Sequence, residues 1–161
     1  QDALSRGIDY VHPKLNLKLA GGIDDVWINK DTNKLIMADY KAQSKASNKK
    51  IEGYLEDVYH EGYKLQLDFY RYLFEKNGFE VQTTGYFVVY NATLEREAFE
   101  NKLDFTADLV AYETDTSHIE DKVIEMKKLM DGSKIPEVTP HCQNCNYIIA
   151  GGKLINKNWA K

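Results

Sequence analysis

The sequence predicts a single α/β domain with a mixed central β-sheet flanked by helices. Three observations lead there. Runs rich in β-branched and aromatic residues alternate along the chain with segments of helical periodicity. One run, Tyr86-Phe-Val-Val-Tyr90, is apolar without alternation, the pattern of a strand buried on both faces. The length of 161 residues, 43% of them apolar, suffices for one domain with a real core. No repeat, low-complexity tract or linker divides the chain, so residues 1–161 are taken as one domain with 133–161 as a C-terminal tail.

Residues 1–14 show little periodicity, and a chain that opens on Gln rather than Met is expected to lack an upstream segment. Leu15-Asn-Leu-Lys-Leu19 alternates and reads as a half-buried strand running through Ala20-Gly21-Gly22 into a hairpin. The hairpin arms are Gly21–Ile28 and Leu35–Lys41, and Asn29-Lys-Asp-Thr-Asn-Lys34 supplies the turn. A turn symmetric about Asp31-Thr32 sets Ile28 opposite Leu35, Val26 opposite Met37 and Asp24 opposite Asp39. All six share one side of the sheet, and Lys41 follows on that side. A register slipped by one would set Asp25 opposite Asp39, but would face Trp27 and Asn29 with Met37 and Leu35.

Opposed carboxylates at strand spacing repel. A divalent cation between Asp24 and Asp39 turns that repulsion into coordination, and Mg²⁺ takes hard carboxylate oxygens while keeping several waters. Lys41 would then stand beside the metal as a point charge for a phosphate or an attacking water. Taken alone, the pattern reads more readily as Asp24 and Asp25 at a turn or edge and a solvated Asp39.

From about Gly53 to Lys76 the spacing predicts a helix closed by Asn77-Gly78. Tyr59, Tyr63, Gln66, Tyr70 and Leu73 share one face, and a glutamine within an aromatic stripe needs hydrogen-bond partners. Glu80–Tyr90 and Leu103–Tyr112 read as strands. Ser117-His-Ile-Glu120 has the form of a capping box opening a helix with Ile119, Val123, Met126 and Met130 on one side that ends at Gly132, with His118 at the surface.

The formal net charge of −4 argues against a broad nucleic-acid-coating surface. A local basic track remains: Lys41, Lys45, Lys49 and Lys50, interleaved with Ser44, Ser47 and Asn48. It reads equally as a phosphate-contacting loop and as a solvated one. No run reaches the length of a membrane span and no signal peptide is visible, so a soluble cytoplasmic protein without membrane partners is expected. A phosphate-cradling glycine loop, a Gly-x-Ser-x-Gly elbow and a second cysteine pair are absent.

Gly21-Gly22-Ile23-Asp24, with Asp39-Tyr40-Lys41 fifteen positions on, resembles the core of the PD-(D/E)XK nuclease superfamily. Gln66-Leu-Asp-Phe-Tyr70 on the following helix and Cys142-Gln-Asn-Cys145 near the end narrow the likeness to the RecB-like exonuclease branch, which includes CRISPR spacer-acquisition nucleases. The resemblance covers roughly residues 15 to 148. It implies a restriction-endonuclease-like core and Mg²⁺- or Mn²⁺-dependent hydrolysis of DNA phosphodiesters, on single strands or duplex ends. Asp24 and Asp39, with the Tyr40 carbonyl, would hold the metal, Lys41 would orient or activate water, and Gln66 and Tyr70 would support the site. Lys45, Lys49 and Lys50 would touch nucleic acid. An upstream His or Glu is often a further ligand in that branch; His12 is the one nearby candidate, and Pro13 disfavours helix at it.

Branch members holding an iron–sulfur cluster need four cysteines. This chain has two, and Gly151 stands six positions after Cys145, so no such cluster is expected. A reduced thiol pair is expected ahead of Zn²⁺ held by Cys142 and Cys145 with His141 or His118. The competing function is a binding or scaffolding module of the same fold with little or no catalysis. Protein partners are not indicated.

Overall fold

The computed structural model describes residues 7–44, 51, 53–93, 101–134, 136–139 and 142–159. The chain divides into two compact units, Gln1–Ile124 and Glu125–Lys161. The first holds a two-stranded antiparallel sheet, β1 (Ile8–His12) with β2 (Leu17–Gly21), and a four-stranded sheet. The latter has the order β3 (Asp25–Ile28), β4 (Leu35–Gln43), β5 (Thr84–Ala92), β6 (Phe105–Glu113). β4 and β5 run parallel and the other pairs antiparallel, which is the mixed sheet expected. A parallel pair needs a crossover connection, and here it carries α1 (Glu61–Lys76).

The β3–β4 hairpin has the symmetric register: Val26 pairs with Met37 and Ile28 with Leu35. Asn29 explains the turn. Its side-chain oxygen accepts from the amides of Asp31 (2.9 Å) and Thr32 (3.1 Å), an Asx turn, while Asn33 takes the left-handed conformation at φ 57°.

Two apolar clusters lie along α1. Met37, Leu67, Phe87 and Val89 are fully buried between helix and sheet, joined by Tyr54 and Tyr70. Leu19, Tyr72, Leu73, Ile119 and Val123 form the other, toward β2 and the start of α2 (Ile119–Asp131). Gly85 lets the helix approach: a Cβ there would sit 2.8 Å from Leu67 Cδ2 and 3.2 Å from the Met37 carbonyl.

Several expectations are corrected. The first strand of the chain, β1, lies in the stretch that lacks periodicity, because its pairing with β2 supplies the order. Leu17–Gly21 therefore pairs with β1 rather than simply feeding the hairpin. The helix starts at Glu61, not Gly53. Gly53 has φ +83°, and Asp57 caps a single 3₁₀ turn, Val58–His60, by accepting from the Tyr59 amide, which leaves Tyr59 85% exposed. On β5 only Gly85, Phe87 and Val89 are buried while Tyr86 and Val88 are half-buried, so that strand is not covered equally on both faces.

The capping box does not form. The Ser117 amide donates to Asp115 Oδ1 (2.9 Å), and Glu120 turns instead to His12, Tyr72 and Lys76. In the second unit the expected tail contains a helix, α3 (Gln143–Trp159), with Cys142 directly before it.

Candidate active site

β4 places Asp39 and Lys41 on the sheet face toward α1, and Tyr40 between them on the other. Asp39 is buried, and the Lys41 ammonium stands 2.5 Å from its Oδ2. Oδ2 is otherwise a buried oxygen with no hydrogen-bond partner.

Lys41 Nζ also donates to Gln66 Oε1 (3.0 Å), and Gln66 Nε2 donates to the Tyr70 hydroxyl (2.6 Å). One turn of α1 separates Gln66 from Tyr70, so the helix presents both to β4. Gly21 makes room for this chain of contacts. A Cβ on it would lie 2.8 Å from Tyr70 Cε1, which gives the first glycine of the Gly-x-Ile-Asp stretch a packing reason.

Asp24 lies one position before β3, where continuation of the register sets it opposite Asp39. Its Oδ2 accepts from the Tyr40 amide (2.9 Å), tying it to β4 beside Asp39, and its side chain is exposed. Asp25 is engaged elsewhere. It accepts from the Val26 amide (2.8 Å), Trp27 Nε1 (2.9 Å) and the Tyr40 hydroxyl (2.8 Å). The bonds from Trp27 and then Tyr40 hold its carboxyl below the usual carboxylate range. For Asp39 the direction reverses: burial pushes its carboxyl up, Lys41 opposes the rise, and the Asp24 charge adds to it.

Asp24 and Asp39 fit a hard divalent cation. One supplies an exposed carboxylate, the other a buried oxygen without a hydrogen bond, and Mg²⁺ or Mn²⁺ favours such donors. Among the described residues no group of three or more His, Cys, Asp or Glu is placed to hold a metal, so backbone carbonyl and water oxygens would complete the shell.

His12 belongs to another cluster. It is a buried β1 residue whose Nδ1 accepts from the Lys14 amide (3.2 Å) and whose Nε2 donates to Glu120 Oε1 (2.7 Å), so both ring nitrogens are engaged. Lys45, Lys49, Lys50 and His141 lie outside the described residues. Cys142 and Cys145 are free thiols, and the Cys145 amide donates to Cys142 Sγ (3.3 Å). A bond from the Cys145 thiol, then backbone amides, pulls the Cys142 thiol below its ordinary value.

The site has one more neighbour, which the spacing alone places in the aromatic stripe. Tyr63 places its ring 4.4 Å from Lys41 Nζ. Its position three residues before Gln66, on the same helix face, is the signal that marks it.

A family model described as the PD-(D/E)XK nuclease superfamily matches residues 2–150. No curated protein and no solved structure matches the chain. Among the described residues no helix is long and apolar enough to cross a membrane.

Proposed function

We propose that this chain, which belongs to the PD-(D/E)XK nuclease superfamily, is a metal-dependent deoxyribonuclease of the RecB-like branch acting on single-stranded DNA or duplex ends. The observation that carries the reading is the buried Asp39, whose Oδ2 meets the Lys41 ammonium and no further donor, beside a second carboxylate, Asp24. A buried carboxylate kept only for stability is ordinarily met by several donors. The placement of Gln66 and Tyr70 behind Lys41 supports the narrower branch.

In this reading Asp24 and Asp39 hold Mg²⁺ or Mn²⁺, with the Tyr40 carbonyl as a further ligand. The bound cation supplies positive charge to the scissile phosphate and eases ionisation of water. Lys41 directs an N–H at a phosphate oxygen or at the attacking water. Gln66 holds Lys41 through its carbonyl oxygen, and Tyr70 holds the Gln66 amide, so the ammonium is oriented before substrate arrives. Lys45, Lys49 and Lys50 guide the strand.

The test is degradation of labelled single- and double-stranded DNA with Mg²⁺ or Mn²⁺. Cleavage is expected to vanish in EDTA and in Asp39→Ala, which also loses metal binding. Lys41→Ala is expected to keep metal binding and lose about 10²–10³-fold in kcat, the usual cost of removing one preorganised charge stabiliser. Equal cleavage by Asp39→Ala would sink the site assignment. The second reading, a nucleic-acid-binding or scaffolding module, is favoured by the acidic net charge of −4 and by a donor set that, among the described residues, has two carboxylates. It takes the lead if wild type binds metal and cuts neither DNA nor RNA.

A further inference from the structure

An ammonium has three N–H donors and no acceptor. For Lys41 one contact goes to Gln66 Oε1 at 3.0 Å and another to Asp39 Oδ2 at 2.5 Å. The Tyr63 ring also meets the ammonium face-on, its centroid 4.4 Å from Nζ. A cation within about 6 Å of a ring face is drawn to it, more strongly where water is excluded. Here the Lys41 side chain is only 17% exposed.

The ring is itself held in place. Tyr63 stacks on His60, with centroids 5.2 Å apart and planes at 22°. His60 is buried, donates from Nδ1 to the Tyr54 carbonyl at 2.6 Å, and lies 4.1 Å from the Tyr54 ring. Tyr54 in turn packs on Phe87 in the core. The stack Phe87–Tyr54–His60–Tyr63 therefore runs from the sheet to the lysine. A long, freely rotating side chain such as lysine loses much rotamer freedom when it is fixed in one place. Two polar contacts still leave the head free to pivot; a ring face against it restricts that freedom.

We propose that Tyr63 is a positioning residue for Lys41: its ring face, backed by His60, fixes where the reacting ammonium stands. The proposal rests on the reading of Lys41 as the group that meets phosphate or water. The face of the ring acts here, not the hydroxyl, so the property to vary is the electron density of the ring at constant shape.

The experiment places phenylalanine at this position (Tyr63→Phe) and then phenylalanines carrying one, two and three ring fluorines, with Tyr63→Leu as the ring-free variant. Three quantities are measured: kcat and KM on a labelled oligonucleotide, Mn²⁺ affinity, and the ε-methylene NMR resonances of Lys41 in ¹³C-lysine-labelled protein, assigned with Lys41→Arg. We expect kcat to fall stepwise with fluorination, by roughly tenfold across the series, as a desolvated cation–π contact is lost. KM and Mn²⁺ affinity should hold. The Lys41 resonances should be shifted upfield by the ring in wild type and move to ordinary values in Tyr63→Leu.

A flat kcat series overturns the proposal while leaving the nuclease reading intact. Lys41 resonances at ordinary values in wild type overturn it as well. Should wild type cut no nucleic acid, the nuclease reading fails, and the NMR comparison alone decides whether Tyr63 fixes the lysine. The fluorinated series preserves side-chain shape, so the test survives a Tyr63→Leu protein that does not fold.

Discussion

Two carboxylate–lysine clusters lie against α1, and they are built from nearly the same parts. Toward β4, Asp39 meets Lys41, backed by Gln66 and Tyr70. Toward β1 and α2, Glu120 meets Lys76 at 3.1 Å, His12 at 2.7 Å and the Tyr72 hydroxyl at 2.5 Å. The difference lies in how the negative charge is met. Glu120 has donors on both oxygens, and the bonds from Tyr72, then His12 and Lys76, bring its carboxyl down to about 2. Asp39 has one cation, an oxygen without a hydrogen bond and a second carboxylate nearby, and burial pushes its carboxyl up. A satisfied carboxylate closes a structure. An unsatisfied one costs stability that a ligand can return.

The largest expected effect tests that contrast at Asp39. A saturating divalent cation should stabilise wild type by about 2.7 kcal/mol at a hundredfold excess over Kd, and Asp39→Asn should abolish this. Metal-free, the same variant should melt about 2–4 °C higher than wild type at neutral pH, the shift of roughly 1 kcal/mol in a chain this size. The sign follows from linkage. A carboxyl whose folded pKa is raised favours the fold below its unfolded pKa and loses that contribution as pH rises through the folded one. Charged Asp39 is thus a burden at neutral pH. A lower melting temperature for metal-free Asp39→Asn would break the comparison.

Gly21→Ala should cost about 2 kcal/mol by overpacking against Tyr70, read by denaturant titration. It should also lower kcat through the Gln66–Lys41 contacts. At Glu120 the sign is the opposite of that at Asp39. Glu120→Gln should lose about 1.5 kcal/mol at pH 7, allowing for solvent screening of a side chain 38% exposed. Its folded pKa is depressed, so the stabilisation is full above the ordinary value of 4.5 and fades as pH falls toward about 2. The stability gap between variant and wild type should shrink over that window, and a gap independent of pH would refute the assignment. Asp25→Asn gives the smallest effect, under about 1 kcal/mol, with metal affinity unchanged. If it removed metal binding, Asp25 rather than Asp24 would be the ligand.

The sequence by itself determined the hairpin register, the opposition of Asp24 to Asp39, the end of α1 at Asn77-Gly78 and the shared face of Gln66 and Tyr70. Each depends on local quantities: strand alternation, an Asx turn, a glycine at φ +84° and one helical turn. Tertiary structure decided the remainder. β1 exists because β2 pairs with it, and α1 starts late because Gly53 and Asp57 turn the chain before it. Glu120 has the spacing of a capping box, yet it joins His12, 108 residues away, and Tyr72, 48 away, because a carboxylate among donors gains more from them than from one exposed amide. Adjacent aspartates divide for the same reason. Trp27 and the Tyr40 hydroxyl capture Asp25, while Asp24 accepts from the Tyr40 amide beside Asp39, and no local pattern distinguishes the two. The burial that raises Asp39 is likewise made by tertiary packing, with Tyr54 and α1 residues Leu67 and Tyr70 joined to Met37 of β4 in one core. It is a property of packing and has no counterpart in the order of residues along the chain.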